Sequence, residues 1–353
     1  MALLLLEIAF RLVGPSLPDR GPNNRLGIRV VVPNEKAPGL VQTLRPGFVG
    51  EVVYPGYGEV PERTVEYAIS SQGFRDREFV QPKPDGLLRI ALIGDSVTYG
   101  TGVDSEDTLP KQLERVLRER FPERELEVMN CGVFAHNTTQ QLAWYRFNIA
   151  QFEPDIALVC TTIPDASGEN IPSRPMEEES SEARWVRRLG LTSGVWAAED
   201  LGDATVALET TMFLRRNSRL ADFVAHQLYN GLMGQAHAQS YRLDWEEGSP
   251  GYESVKKAYG VFAVEARKAG VRFMGAMYPT LVQLDAYPYA AEHAALGRIA
   301  QDLGVPYLDL APAFAGQNAR ALQVHPHDHH PNPTAHGIAA EALADFIVAQ
   351  LQG

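Results

Sequence analysis

A serine near the first quarter of the chain and a histidine-rich segment near its end carry the side chains best suited to nucleophilic chemistry. Ser96 lies in the segment GDSVTYG at residues 94–100, directly after an apolar run. A serine hydroxyl needs an imidazole to accept its proton and a carboxylate to orient that imidazole. Asp328 and His330 supply both groups from the segment at residues 325–337. These residue types predict a serine nucleophile with a histidine general base.

Positions 96 and 330 need a scaffold that brings them together, and the apolar pattern predicts one. Five strand-like runs alternate with helical patterns from Leu87 onward, and these runs are LLRIALIG, LEVMN, DIALVC, VRFMGAMYP and VPYLDL. This alternation predicts an α/β fold with a doubly wound, flavodoxin-like, five-stranded parallel sheet. Ligands of such sheets bind at the carboxyl ends of the strands. Ser96 follows the first strand and His330 follows the fifth, so we expect both at the same edge.

Two regions fall outside this alternation. Residues 1–87 are expected to form an N-terminal extension, with a short apolar helix followed by strands and turns, because residues 15–87 are rich in proline, glycine and β-branched residues. Residues 88–353 are expected to form the α/β domain. Within it, the rhythm is lost between about 167 and 250, which predicts a helical insertion. That insertion is either a lid that shapes the substrate pocket or a structural embellishment.

Composition and the N-terminal residues narrow the partners and the location. The formal net charge of −12 argues against nucleic acid, which requires clustered lysine and arginine. Residues 1–13 are apolar but shorter than the about 20 residues that a spanning helix needs, and they lack the pattern of a secretory signal. The cytoplasm is therefore favoured. Residues 1–13 are expected either to contact a membrane peripherally or to pack on the body of the protein.

Metal and cysteine chemistry are the competing interpretations of the polar residues. Five histidines lie within twelve residues, at positions 325, 327, 329, 330 and 336, but their loop is broken by prolines and has no acidic helix motif beside it. Exposed loop histidines are the favoured interpretation, so neither a metal nor another cofactor is expected. The two cysteines, Cys131 and Cys160, lack zinc-ligand spacing and are expected to be buried and inert.

The motifs named above resemble those of the SGNH/GDSL hydrolase family. The first block is GDSVTYGTGV and the last is DHHPN, and the resemblance covers roughly residues 88–165 and 250–351. It implies an esterase or acyltransferase in which Ser96 is the nucleophile and Asp328 and His330 complete the triad. The stretch SSQGFRDREF is also similar to one branch whose members often have an N-terminal membrane helix, which would make residues 1–13 its remnant.

The resemblance also implies an oxyanion hole, and here the sequence departs from the family pattern. The hole would comprise the N–H of Ser96, a glycine N–H after the second strand and an asparagine side chain after the third. Ala135 stands at the glycine position, with Gly132 nearby, and Pro164 stands at the asparagine position. Proline offers neither a side-chain amide nor an N–H. Loss of one such donor costs about a hundredfold to a thousandfold in rate.

Other residues near these motifs are candidates for supporting roles. Thr161 or Thr162, or a residue of the insertion, is a candidate to replace the missing amide. Asp95 and Asp165, which flank the nucleophile and the proline, are further supporting candidates.

Three functions remain open at this stage. The first is hydrolysis of a carboxylic ester, on a sugar or a small metabolite. The second is acyl transfer by the same serine to an alcohol or amine acceptor, which a lid that excludes water would favour. The third is a non-catalytic member of the fold that binds a ligand. The retained serine, aspartate and histidine argue against the third.

Overall fold

The computed structural model describes residues 30–34, 39–54, 61–166, 241–325 and 328–352. The chain divides into two compact units, one of residues 1–19 and 170–243 and the other of residues 20–169 and 244–353. All described residues except 241–243 belong to the second unit. The predicted apolar helix at residues 1–13 and the insertion up to residue 240 lie outside the described residues.

Short antiparallel strands precede the central sheet. Strand β1 (Val31–Pro33) pairs with β2 (Gln42–Leu44), and β3 (Val49–Tyr54) pairs with β4 (Arg63–Ala68). In the second hairpin, inward residues such as Val52 and Tyr54 alternate with exposed ones, which is the period-two pattern of a sheet with one buried face. These strands belong to the same compact unit as the central sheet.

The central sheet has five parallel strands. They are β5 (Leu88–Gly94), β6 (Leu126–Gly132), β7 (Ile156–Thr161), β8 (Arg272–Met277) and β9 (Tyr307–Asp309). Their order is β6-β5-β7-β8-β9, so the first strand lies between the second and the third. This is the flavodoxin-like doubly wound order. The predicted fold is therefore confirmed, and each of the five apolar runs forms one of its strands.

Helices flank the sheet. They are α1 (Ser96–Tyr99), α2 (Leu109–Arg120), α3 (Thr138–Trp144), α4 (Pro250–Ala269), α5 (Ala290–Leu303) and α6 (Pro333–Gln352). Helix α3 passes into a π-helical turn at Tyr145–Ile149 and a 3-10 turn at Ala150–Phe152. Residues 138–152 are thus three helical segments in succession.

The side chains of β5 show why the helices cover both faces of the sheet. All seven residues of this strand are buried. Leu88, Ile90 and Leu92 lie in one cluster with apolar residues of α2 and α6. On α4, Phe262 stacks on Phe273 of β8 with 5.0 Å between ring centroids. Burial of each such side chain contributes about 1.5–3 kcal/mol, so the sheet is a rigid platform for the residues at its edge.

The histidine-rich segment forms a hairpin where the sequence predicted an irregular loop. Strand β10 (Gln323–His325) pairs antiparallel with β11 (Asp328–Pro331), immediately before α6. The hairpin holds Asp328 and His330 in extended backbone. Within the described residues, no helix is long and apolar enough to cross a membrane.

Candidate active site

A tight turn between β5 and α1 places Ser96 at the carboxyl edge of the sheet. The strand ends at Gly94, and the carboxylate of Asp95 accepts a hydrogen bond of 2.8 Å from the N–H of Val97. Helix α1 begins at Ser96 and ends after one turn at Gly100, whose φ of 86° only glycine adopts easily. Ser96 is half-buried. Its side chain therefore lies at the sheet edge where ligands of this fold bind.

Ser96, His330 and Asp328 meet in a continuous line of contacts. The Nε2 atom of His330 lies 2.9 Å from Oγ of Ser96, and its Nδ1 atom lies 2.5 Å from Oδ1 of Asp328. The backbone N–H of His330 also donates to Oδ1 of Asp328 at 3.1 Å. The carboxylate therefore accepts from both the ring and the backbone of the same histidine, which sets the direction of the imidazole toward the serine.

The charges in this array favour a basic imidazole. Burial favours the neutral form of His330, but the Asp328 carboxylate and its hydrogen bond outweigh that effect, and with a contribution from Asp95 the pKa of His330 is raised. Burial would raise the pKa of Asp328, but the facing His330 outweighs it and holds that pKa below its ordinary value. The imidazole remains 30% exposed, so it is open to a substrate. A base of this kind can accept the proton of Ser96.

Tyr54 lies beside the acid of this array, which the sequence alone did not suggest. Its hydroxyl is 3.5 Å from Oδ2 of Asp328, and its ring packs under the guanidinium of Arg63 at 4.9 Å. Arg63 donates to the carbonyl of Gly102, in the loop after α1. The β3–β4 hairpin thus contacts both the acid and the loop that follows the nucleophile. The alternating pattern of β3 indicates that Tyr54 points inward, but nothing local relates it to position 328.

Ala135 has the backbone conformation that the expected glycine would have. Its φ is 55°, in the left-handed region, which costs a non-glycine residue about 1–2 kcal/mol. Gln42 of β2 holds the loop on both sides of this residue, because its side chain donates to the carbonyl of Phe134 at 2.7 Å and its own carbonyl lies 2.9 Å from Nε2 of His136. Burial lowers the pKa of His136 to about 4, so its ring is neutral and donates. These contacts keep Ala135 exposed in its strained conformation.

Gly132 serves close packing. An added Cβ atom there would lie 2.1 Å from the backbone nitrogen of Tyr99, so α1 can approach β6 only because this residue is glycine. Its N–H also has an acceptor, Oδ1 of Asn130, at 3.2 Å. The N–H of Ala135 is thus better placed than that of Gly132 to serve a ligand.

The turn after β7 contains the departure from the family pattern. Pro164 lies in a 3-10 turn at Ile163–Ala166. The hydroxyl of Thr161 lies 2.7 Å from that of Tyr259, and the hydroxyl of Thr162 donates to Oδ2 of Asp95 at 2.8 Å. Both threonine hydroxyls therefore already have protein partners.

The remaining histidines of the C-terminal segment have different environments. His325 is buried, and His336 is buried in α6, where burial lowers its pKa to about 3. His329 is exposed, and His327 lies outside the described residues. Across the described ranges, no group of three or more histidine, cysteine, aspartate or glutamate side chains is arranged to hold a metal ion. His330 is the described histidine of this segment that contacts Ser96.

The two cysteines lie one residue before the ends of β6 and β7, the strands on either side of β5, and both are buried as free thiols. Burial raises the pKa of both Cys131 and Cys160. Since the thiolate is the nucleophilic form, neither thiol has the environment of a reactive cysteine.

The fold is a doubly wound α/β sheet, and Ser96, His330 and Asp328 are in contact at its carboxyl edge. The model of the GDSL-like lipase/acylhydrolase family matches residues 92–338, and the chain belongs to this family. The match spans both the Ser96 turn and the Asp328–His330 hairpin. Membership supports a hydrolase that acts on esters in general, as the resemblance in the sequence implied.

Solved structures of similar fold include several esterases. A protein assigned to the lipolytic G-D-S-L family from Desulfitobacterium hafniense is 11% identical over 73% of this chain and 98% of its own, with a TM-score of 0.41. The esterase EstA from Pseudoalteromonas sp. is 12% identical over 75% and 99%, with a TM-score of 0.42. An acetylxylan esterase from Geobacillus stearothermophilus is 13% identical over 74% and 94%, with a TM-score of 0.43. The comparison with curated proteins gave no match.

Proposed function

We propose that this protein hydrolyses a carboxylic ester of a small metabolite or sugar through an acyl-enzyme on Ser96. The observation that carries the proposal is the contact of 2.9 Å between His330 Nε2 and Ser96 Oγ, with Asp328 on the other ring nitrogen. Membership of the lipase/acylhydrolase family supports the same chemistry.

The array suits a two-step acyl transfer. Oγ of Ser96 attacks the ester carbonyl carbon while His330 Nε2 takes its proton, and the carbonyl oxygen becomes an oxyanion. His330 then protonates the leaving alcohol as the carbon–oxygen bond breaks, which leaves the acyl group on Ser96. A water molecule next attacks the acyl carbon and passes its proton to His330, and Ser96 regains that proton as the acid departs. Asp328 stabilises the imidazolium in both steps.

Two backbone donors are proposed to stabilise the oxyanion. They are the N–H of Ser96, at the start of α1, and the N–H of Ala135, whose strained conformation is held by Gln42 and His136. Strained backbone is retained where the surrounding contacts over-determine it, and it clusters at active sites. Pro164 supplies no third donor. We therefore propose an enzyme whose rate on simple esters is limited by its oxyanion hole.

The test is a series of para-nitrophenyl esters of increasing acyl length, assayed with the wild type and with Ser96→Ala. We expect a burst of nitrophenol equal to the enzyme concentration, followed by slower turnover, on esters for which deacylation of Ser96 is slower than acylation. The absence of both burst and turnover on every ester would contradict the proposal. Addition of acceptor alcohols or amines separates the outcomes further, since transfer products in place of free acid would identify an acyltransferase.

A further inference from the structure

Two buried carboxyl groups beside the proposed site are joined by a single hydroxyl. Asp95, which precedes the nucleophile, is 7% exposed, and Asp165, which follows Pro164, is 3% exposed. The Oγ1 atom of Thr162 lies 2.8 Å from Oδ2 of Asp95 and 3.2 Å from Oδ1 of Asp165. Both distances are within hydrogen-bonding range, so the hydroxyl faces two potential acceptors.

If both carboxyl groups are ionised, this arrangement has one proton fewer than its hydrogen bonds require. Oδ1 of Asp95 accepts from the N–H of Val97 at 2.8 Å. Oδ2 of Asp165 accepts from the N–H of Thr162 at 3.0 Å and from Nε2 of Gln141 at 2.9 Å. The contacts on Thr162 Oγ1 share one hydroxyl proton. With both carboxylates ionised, the Thr162 oxygen and Oδ1 of Asp165 would meet as two acceptors with no proton between them.

We propose that Asp165 holds a proton on Oδ1 and donates it to Thr162 Oγ1, which in turn donates to an ionised Asp95. The two carboxyl groups then carry one negative charge, located on the member adjacent to Ser96. Each short contact becomes a hydrogen bond with a donor and an acceptor, and no buried acceptor faces another. Buried polar groups are stable in this fully satisfied form, whereas a partly satisfied network is costly.

The surroundings of the pair favour the retained proton. The ionisable groups that face it from other elements are Cys160 of β7, Tyr259 of α4 and His330 of β11. Burial raises the pKa of Cys160 and of Tyr259, so both side chains remain neutral and provide no charge that would stabilise a second carboxylate. Burial also raises the pKa of Asp165, and the like charge of Asp95 raises it further. Burial raises the pKa of Asp95 as well, but the N–H of Val97, the hydroxyl of Thr162 and the charge of His330 oppose that effect, so the negative charge is placed on Asp95.

The consequence for catalysis rests on the proposed function. Asp95 contributes to the raised pKa of His330, so its charge supports the imidazolium that forms when Ser96 gives up its proton. A neutral Asp165 keeps a second negative charge away from the developing oxyanion. Thr162 and Asp165 are thus positioning residues that act through Asp95, in a turn where the family pattern would otherwise supply an oxyanion donor.

Infrared spectroscopy of the full-length protein tests the protonation directly and without any assay of activity. The variant Asp165→Asn preserves the shape and the hydrogen bonds of a protonated carboxyl group, since its amide donates to Thr162 and its oxygen accepts from Gln141. At neutral pH we expect the wild type to show the carbonyl stretch of a protonated carboxylic acid, and Asp165→Asn to lack it. Asp302→Asn, which changes an exposed carboxylate of α5, is the matched control and should retain the band. A wild-type spectrum without the band, or a band that survives Asp165→Asn, overturns the proposal.

Thermal unfolding against pH provides a second readout that is independent of activity. When the pKa of a carboxyl group is higher in the folded state than in the unfolded state, the protein becomes less stable as pH rises from the unfolded-state pKa toward the folded-state pKa. The midpoint of Asp165→Asn should therefore rise relative to the wild type as pH increases from about 4 to about 8. A difference in midpoint that stays constant over this range would show that Asp165 is already ionised.

The kinetic consequence is tested at Thr162. In Thr162→Val the bridging hydroxyl is lost, and we expect the proton to redistribute onto Asp95, which removes the charge beside His330. The acid limb of kcat/KM should shift to lower pH and kcat should fall about tenfold, whereas Thr162→Ser should restore both. An unshifted pH profile in Thr162→Val contradicts the positioning role. If no ester is turned over at all, the spectrum and the unfolding curves still decide the protonation.

Discussion

Two Asp–His–hydroxyl arrays lie at the edge of the same sheet, and their geometry is nearly identical. In one, His330 lies 2.5 Å from Asp328 and 2.9 Å from Ser96. In the other, His293 lies 2.6 Å from Asp309 and 2.9 Å from the hydroxyl of Tyr287. Distances alone therefore do not separate a catalytic array from a structural one.

The two arrays differ in the solvent exposure of the histidine and in the other hydrogen-bond partners of the hydroxyl group. The His330 side chain is 30% exposed, whereas that of His293 is 1% exposed. The hydroxyl of Tyr287 already accepts an N–H from Thr280 at 3.0 Å, and burial raises its pKa. The second array thus holds the segment after β8 against the end of β9. Ser96 instead presents its oxygen from a one-turn helix at the open edge.

The largest difference between the two arrays is expected when the histidine of either array, or the serine of the first, is replaced by alanine. Ser96→Ala and His330→Ala should each lower kcat/KM by at least about a thousandfold, and the double variant should be no worse than either, because the groups act as a unit. His293→Ala should retain activity but lower the free energy of unfolding by about 2–4 kcal/mol, since buried partners lose their hydrogen bonds. Ester assays and denaturant unfolding of all four proteins check this. Undiminished turnover by Ser96→Ala would refute the assignment of the nucleophile.

Replacement of Asp328 in the first array and of Asp309 in the second should give the next largest difference in kcat and in its pH dependence. Asp328→Asn is expected to lower kcat by about a hundredfold to ten-thousandfold, because the neutral amide neither fixes the tautomer of the imidazole nor stabilises the imidazolium. Catalysis needs neutral His330, whose raised pKa depends on Asp328, so wild-type activity should fall as pH drops through a value above the ordinary histidine pKa. In Asp328→Asn this limb should shift to lower pH. Asp309→Asn should change neither kcat nor the acid limb of the pH–activity profile. A shift of that limb in Asp309→Asn would mean that the two arrays are coupled.

Pro164→Asn tests whether the first array lacks an oxyanion donor. If the site is a weakened hydrolase, the added amide should raise kcat on a simple ester about tenfold or more, a change of roughly 1.4 kcal/mol in barrier. Proline also fixes the local backbone beside Asp165, so circular dichroism and the unfolding midpoint must accompany the kinetics. A stable Pro164→Asn protein with unchanged kinetics on every ester would show that the donor is not what limits the rate.

The smallest effect is expected at Tyr54, which supports the acid of the first array from the N-terminal hairpin. Its hydroxyl lies 3.5 Å from Asp328, which is a long contact. Tyr54→Phe should therefore lower kcat only about twofold to threefold and should shift the acid limb slightly, consistent with about 0.5 kcal/mol for one weak hydrogen bond. Tyr252→Phe, at a buried tyrosine of α4, is the control and should change neither. A loss comparable to that of Asp328→Asn would make Tyr54 a much stronger part of the array than its distance indicates.

Much of the architecture was predictable because it depends on local pattern. The apolar runs at residues 88–94 and 156–160 are buried on both faces, as continuous hydrophobic strands are in parallel sheets. The strand order β6-β5-β7-β8-β9 is that of the flavodoxin-like fold that the alternation predicted, in which consecutive strands are neighbours except β6 and β7, since β5 lies between them. The expectation that Ser96 and His330 meet needed only that both follow strands of one sheet, and in the structure their side chains are in contact.

The contacts missed by sequence reasoning join distant parts of the chain. Gln42 supports the loop of Ala135 across 94 residues, and Tyr54 lies beside Asp328 across 274 residues. The hydroxyl of Thr162 was a candidate oxyanion donor, whereas in the structure it bridges Asp95 and Asp165. The local sequence around a residue does not predict which side chain it contacts at such separations.

The sequence by itself determined the sheet, the position of Ser96 on a turn after its first strand and the Asp–x–His spacing of the base, because periodicity and short motifs act over a few residues. Only the tertiary structure decided in which Asp–His pair the histidine is exposed and which hydroxyls already have protein partners. Those properties depend on burial and on the complete set of neighbours around each polar atom. In a folded chain, both arise from packing between segments that are far apart in sequence.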